Sequence, residues 1–399
     1  MIEEFEALER IFKSTPLPVK RNVPVAESVG CFLIREVRSK INLPQVRQSG
    51  VDGYAIIASD CKEHSKNLSV VGESVAGAAC NASIGSGEAF RVFTGSQIPM
   101  GANAVVMQED VNVLPNGLIS INGKVSADDY VRRVGEVLSK GQTILSKGSS
   151  IKPSTLGALV AGGVSEVTVG SFPSVGIITT GDELINYEQR QIKSRQVYDC
   201  NGVMLKSAAL KAGVGKIKIK RIRDDLTEIS NGIIEMQKWA DIILVVGGIS
   251  VGDRDYVKKA FRKCGIKQIF WRVKIKPGKP MFYGKHGEHV QVFGLPGNPV
   301  SAFLCFYLFV LPALRLRSGG SEAECKIRKD KAILDSYIQN ATDRPHYICG
   351  SMHGGNFHPI GNQRSNNIFA LSQSDSLLRM KPNSSIDLGE VVSVYHLPS

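Results

Sequence analysis

Five carboxylates, Asp182, Glu183, Asp225, Asp253 and Asp255, fall where apolar runs give way to turns, and a row of cations, Arg272, Lys274, Lys276 and Lys279, follows them in WRVKIKPGK. Acidic oxygens drawn from several turns suit a hard cation such as Mg²⁺, which is held by one or two carboxylates together with substrate phosphate. Each carboxylate alone would serve equally as a helix N-cap; their gathering on the turns of one predicted domain is what points to a site. The alternation in WRVKIK puts Arg272, Lys274 and Lys276 on one face of a predicted strand, which suits phosphate or another oxyanion and equally suits a charge-protected edge strand. In Leu295-Pro296-Gly297-Asn298-Pro299, Asn298 is placed to cap a helix, Pro299 fits the first helical position and Gly297 lets a ligand approach the backbone. The helix that follows would point its positive end at the same cleft. Asp52 lies between glycines in SGVDGYA, and Thr94 precedes Gly95, where a hydroxyl and main-chain amides could meet an oxyanion.

Three strands must position these turns. Ile242 to Val246 is an apolar, mostly β-branched run entering Gly247-Gly248, which predicts a buried parallel strand ending in a tight turn. Val175 to Thr180 runs into Gly181-Asp182-Glu183 in the same way, and Val290 to Leu295 runs into Pro296. In an open parallel sheet all three turns lie at the carboxyl edge, where doubly wound folds bind ligands. With helices predicted over Gly202 to Ala212, Leu226 to Lys238 and Tyr256 to Lys263, and a strand over Lys216 to Ile222, the series gives a three-layer α/β domain over 173–317.

Around it the sequence predicts a small β domain over 44–136 and a helical and loop linking unit made of 1–43 with 137–172. The linking unit is expected to hold an amphipathic helix with Phe5, Leu8, Ile11 and Phe12 on one face and a second helix from Ser28 to Val37. Residues 318–399 read as strands and turns, a small barrel or sandwich. The fold class is therefore multidomain, α/β plus β.

At 399 residues the chain exceeds one ordinary core, and its start lacks the basic and apolar regions of a signal peptide, so a cytosolic location is expected. The longest apolar run, Ala302 to Leu314, is short of a bilayer span and reads as a buried helix. Eight cysteines without a CxxC pair argue against a zinc module or redox dithiol. The net charge of +12 concentrates in Lys206 to Arg223 and Arg254 to Lys285, which flank the predicted cleft and would draw in an anion. No nucleic-acid motif accompanies that charge. Three apparent motifs are set aside. Gly248 to Gly252 has the G-x-S-x-G form but lacks a suitable following histidine; Gly213 to Lys216 lacks P-loop spacing; His346, His353 and His358 match no standard metal site.

Taken in order, SGVDGYA, FTGSQIPMGANAVVMQED, ITTGDEL, VYDCN, RDD, GGISVGDRDY, IKPGKP and GLPGNPVSAF make the chain resemble the molybdopterin molybdenumtransferase family, which includes the carboxyl-terminal domain of gephyrin. The resemblance spans Asn42 to about Ser365. It implies an elongated homodimer of four-domain subunits, a third domain similar to the molybdopterin adenylyltransferases, a C-terminal β-barrel, and a site shared between that third domain and the β domain of the other subunit. It further implies that adenylylated molybdopterin and molybdate are the substrates, that Mg²⁺ is required and that AMP is released. Supply by a molybdopterin adenylyltransferase is a further expectation; no nucleic acid or membrane is expected.

Carried over by motif, Asp52, Thr94, Glu183, Asp225 and Asp255 would be catalytic, with Glu183, Asp225 and Asp255 on the metal. Arg132, Ser250, Arg272, Lys276, Pro296, Gly297, Asn298, Pro299, Arg344 and Ser365 would bind substrate. Three positions depart from the pattern. Val137 and Arg47 stand where acidic residues are common, and Arg272 stands where lysine is expected. The alternatives are therefore a paralogue with altered oxyanion or metal use, or a gephyrin-like interaction scaffold, for which the sequence shows no linker to further modules.

Overall fold

The computed structural model describes residues 1–61, 67–249 and 256–397. Its centre is a six-stranded sheet, built from β1 (Val175–Thr180), β2 (Ile217–Ile222), β3 (Ile242–Val246), β4 (Lys267–Trp271), β5 (Phe282–His286) and β6 (Val290–Leu295). The spatial order is β2-β1-β3-β6-β5-β4. β2, β1, β3 and β6 are mutually parallel, in a register pairing Val175 with Ile217 and Ile242, and Ile242 with Gln291. β5 and β4 return antiparallel as a hairpin at one edge. Every residue of β1 and β3 is buried, as expected of parallel strands covered on both faces.

Alternate side chains on these strands enter two cores. Ile177, Leu244 and Phe293 pack with α1 (Glu4–Ser14), α2 (Cys200–Lys211) and the long helix α5 (Pro299–Arg317); Ile178, Ile243 and Val292 pack with α3 (Leu226–Gln237) and α4 (Tyr256–Lys263). Each fully buried Ile, Leu or Phe side chain contributes about 1.5–3 kcal/mol. α5 is long and apolar enough by composition to cross a membrane, but most of it is buried inside the fold. It carries one π turn, in which the Leu311 N–H bonds the Phe306 carbonyl, immediately before Pro312. The wider turn accommodates a proline, which has no N–H to continue the α pattern.

The expected core-facing stripe of α1 is only partly right. Ala7 and Ile11 are fully buried, while Phe5 lies on the rim and is 73% exposed. α1 packs on the α/β core through Ala7 and Ile11, and not on residues 137–172. The predicted helix from Ser28 to Val37 does not form. A 3-10 turn, Val25–Glu27, leads to Gly30 at φ +83, and Phe32 and Leu33 then make isolated bridges to Ser150 and Val169. Gly30 breaks the helical path, and main-chain pairing across the unit replaces it.

The β domain is a six-stranded sheet that includes Gly53–Ile56, Leu68–Ser74, Glu88–Val92 and Ala104–Met107. A β-carbon at Gly53 would lie 1.8 Å from the Val106 carbonyl oxygen, so this glycine is required by strand contact. At the other end of the chain, Lys329–Leu334, His346–His353, Asn356–Pro359, Ser376–Met380 and Val391–His396 close into a barrel.

Candidate functional site

The ends of β1, β3 and β6 meet. Gly247 has φ +97, donates its N–H to the Leu295 carbonyl at 3.0 Å, and leaves no room for a β-carbon, which would sit 2.6 Å from the Thr180 carbonyl oxygen. A β-carbon on Gly297 would lie 3.6 Å from the Gly247 Cα, and the Asn201 amide donates to the Gly297 carbonyl at 2.7 Å. The turns read from the sequence therefore share the carboxyl edge of one sheet.

Beside that edge a cavity of about 650 Å³ opens between the α/β domain and the barrel. Of the expected binding residues it brings together Lys276, Pro296, Asn298, Arg344 and Ser365. It adds Lys279, Gln363 and Arg364, the last two from a barrel loop distant in sequence. Asn298 occupies the N-cap position, but its side chain does not cap: it donates to the Ser365 hydroxyl at 2.9 Å, tying the helix start to the barrel loop. Pro299 begins the helix as expected, and Gly297 stands exposed just before it.

The predicted strand face of Arg272, Lys274 and Lys276 is also corrected. β4 ends at Trp271, Arg272 adopts φ +67, and the chain continues irregularly into Lys276. The burial alternation survives, since Val273 and Ile275 are fully buried between the charged residues. The Arg272 guanidinium stacks on the Trp271 ring at 4.0 Å. Arg344 is half-buried, donating to the Ile275 carbonyl at 3.0 Å. Burial and then the neighbouring Lys276 and Arg344 charges push the His346 imidazole down to about 4, so it is neutral beneath the cations.

The acidic residues gather at the ends of β1 and β2. Glu183 folds back over Gly181, where its Oε1 would be 2.8 Å from a β-carbon. Asp225 caps α3 by accepting from the Thr227 and Glu228 amides at 2.8 and 2.9 Å, both on Oδ1. Asp224 accepts the Thr180 hydroxyl, and Asp182 accepts the Asp224 amide at 3.3 Å. Ser250, Asp253 and Asp255 lie outside the described residues. Among the described residues no three His, Cys, Asp or Glu side chains converge as a cage. Glu183 and Asp225 offer carboxylate oxygens, the donor type that Mg²⁺ takes when substrate phosphate and water complete its shell.

A second group forms in the β domain. Thr94 donates both its amide, at 2.7 Å, and its hydroxyl, at 2.8 Å, to Asp52 Oδ1. These bonds, the backbone one first, hold the Asp52 carboxyl below its ordinary range, with Arg91 adding to the effect. Arg132 lies on the short strand opposite Gln48, and its Nε would be 3.8 Å from a β-carbon on Gly50. The sequence did not single out Arg91, whose guanidinium sits 4.8 Å over the Tyr54 ring and 5.3 Å over Phe93. Nor did it single out Asn201, whose buried Oδ1 has no partner among the described residues. Thr94 and Asp52 bond within the β domain, whereas Asn298–Ser365 and Arg344–Ile275 cross between the α/β domain and the barrel.

The set-aside motifs behave as ordinary structure where described. Gly213, at φ +92, joins α2 to β2, and His358 pairs with Asp335 at the barrel surface.

A doubly wound sheet with a cation-lined cleft at its carboxyl edge, completed by a barrel, defines a multidomain α/β protein whose cleft has the charge to suit an anionic ligand. Comparison with known proteins specifies the family. Residues 2–163 match the MoeA N-terminal region (domain I and II), 176–316 the probable molybdopterin binding domain, and 331–397 the MoeA C-terminal region (domain IV). A molybdopterin molybdenumtransferase of Haemophilus influenzae is 34% identical over 315 residues, covering 79% of this chain and 77% of that protein. One from Bacillus subtilis is 30% identical over 359 residues, covering 84% and 78%. The solved molybdopterin biosynthesis moeA protein of Pyrococcus horikoshii OT3 has a TM-score of 0.87 at 29% identity, over the whole of both chains. The chain belongs to the molybdopterin molybdenumtransferase family, transferases of molybdenum cofactor biosynthesis.

Proposed function

We propose that this chain takes adenylylated molybdopterin and molybdate, releases AMP and leaves molybdenum on the dithiolene sulfurs. The observation that carries the reading is the cleft itself, where Lys276, Lys279, Arg344 and Arg364 surround a cavity at the carboxyl edge of the parallel sheet. These cations neutralise the phosphates and hold them in a fixed place, which is most of what such a reaction asks of a protein. Ser365, fixed by Asn298, presents a hydroxyl to the same cavity. Mg²⁺ held near Glu183 and Asp225 would polarise the pyrophosphate. Asp225 keeps Oδ2 free of hydrogen-bond partners among the described residues, because both cap bonds go to Oδ1.

The group assigned to molybdate is Thr94 with Arg132: Arg132 supplies charge, and the Thr94 hydroxyl and amide turn to the oxyanion from Asp52, which they bond here. Because it stands on a separate domain from the cleft, the reading includes a homodimer in which one protomer's β domain completes its partner's cleft. The protein is taken to act in the cytosol and to receive its substrate from a molybdopterin adenylyltransferase. The test is incubation with adenylylated molybdopterin, Mg²⁺ and molybdate: AMP release that requires molybdate is expected, and its absence overturns the reading.

A second reading, use of a related oxyanion, is favoured by Val137, which is 67% exposed and places no carboxylate where one is common. Equal stimulation of AMP release by tungstate and molybdate would support it.

A further inference from the structure

The loop that carries the cationic wall is held from three sides. On its own return it is closed by Arg272 N–H to the Met281 carbonyl, at 2.8 Å, and Val273 N–H to the Lys279 carbonyl, at 3.1 Å. At its far end the barrel grips it through Lys276 N–H to the Pro345 carbonyl and Tyr347 N–H to the Lys276 carbonyl, both 2.8 Å. The third support is the amino-terminal segment. Ile2 donates its N–H to the Arg272 carbonyl at 3.1 Å and accepts from the Lys274 N–H at 2.9 Å, forming a parallel bridge with Val273. Glu3 pairs with Lys274. Glu4 accepts from the Tyr347 hydroxyl and from Arg379 Nε, the latter at 2.9 Å, so the same segment also braces the barrel strand that grips Lys276.

This arrangement answers a physical need. The loop lies outside regular structure and holds a non-glycine residue, Arg272, at positive φ, a strained conformation that persists only where the surroundings enforce it. The Arg272 carbonyl and the Lys274 amide, facing away from the loop's own return, bond Ile2. Two residues later the chain becomes the wall Lys276 to Pro280 of the cavity. We infer that Ile2, through its main-chain bonds, is a positioning residue for this wall, and that the amino-terminal segment sets the affinity of the cleft for a pyrophosphate-bearing ligand.

The inference deepens the proposed function and rests on its placement of the anion in this cleft. Its test therefore uses inorganic pyrophosphate on the full chain, which needs no turnover. Ile2→Pro deletes one N–H donor, and Ile2→Val keeps both main-chain bonds. Calorimetry is expected to show Ile2→Pro and Lys276→Ala each weakening pyrophosphate binding on the order of tenfold, about 1.4 kcal/mol. Ile2→Val should match the parent. The double variant Ile2→Pro/Lys276→Ala should be no weaker than the worse single one, because the first change acts through the second residue. Hydrogen exchange at the Lys274 amide should quicken in Ile2→Pro while the melting temperature stays near that of the parent. Unchanged affinity in Ile2→Pro, additive losses in the double variant, a weakened Ile2→Val, a general loss of stability, or no saturable pyrophosphate binding by the parent would each overturn the inference. Absence of molybdate-dependent AMP release with pyrophosphate binding intact would count against the reaction alone.

Discussion

At the amino edge of the central sheet, polar groups close on one another. Ser174 gives Asp241 both its amide and its hydroxyl at 2.8 Å, Arg317 adds a bond to Asp241 at 2.7 Å and one to the His289 carbonyl, and Gln291 links the Tyr283 hydroxyl to Thr15. At the carboxyl edge of the same strands, Glu183 and Asp225 are exposed, and Lys276, Arg344 and Arg364 surround open space. β3 is apolar along its whole length, so there the contrast comes entirely from the turns. One edge turns its polar groups on one another; the other also leaves charged groups exposed around open space.

The strongest challenge to that contrast is Arg317→Leu, which leaves Asp241 short of a partner. Removing one member of a buried ion pair typically costs about 3–5 kcal/mol, and the half-exposed Asp241 puts the expectation near 3, read from the denaturation midpoint. A loss under about 1 kcal/mol would mean the amino edge is no more committed than the other. The mirror experiment is Arg344→Ala: kcat/KM for AMP release should fall about 10–100-fold, roughly 1.4–2.8 kcal/mol, with the melting temperature barely moved. Equal loss of stability would make Arg344 a structural member of the barrel junction.

Smaller effects sharpen the comparison in the β domain. Thr94→Val removes the hydroxyl bond to Asp52 but keeps the amide bond, which is the larger cause of the depressed pKa. Carboxyl NMR should therefore show Asp52 rising only part of the way to its ordinary range, and a full return would assign the effect to the hydroxyl. The mildest test concerns His346. Its folded pKa of about 4 lies below the ordinary 6.5, so the unfolded chain binds the extra proton first. Its contribution to stability is complete above 6.5 and is lost as pH falls toward and through about 4. His346→Gln should flatten the stability profile over that window, and an unchanged slope would place the titration elsewhere.

The parallel strands were legible because burial on both faces writes itself as an uninterrupted apolar run, as in Val175–Thr180 and Ile242–Val246. The turns that end them could be read for the same reason. What the sequence concealed was set by partners far along the chain. Asn298 has the composition of a cap, yet its amide turns to Ser365, 67 residues away. Arg272 to Lys276 alternates like a strand, yet pairs with Ile2 at one end and with barrel residues 345–347 at the other. Ser28 to Val37 has a helical look, and bridges to Ser150 and Val169 override it. Gln363 and Arg364 reach the cleft from a loop that carries no motif of its own.

The single π turn in α5 has a consequence for angular phase. Each residue added to a helix rotates everything downstream by about 100°. The wide turn at Phe306 shifts the azimuth of the last two turns, and with it the direction in which Arg317 leaves the rod. Rewinding Phe306 to Val310 as regular α with no residue removed would swing that guanidinium away from Asp241, whereas excising one residue there would restore regular winding with Arg317 close to its present direction. The irregular winding thus acts as an indexing notch that clocks one end of the rod against the other.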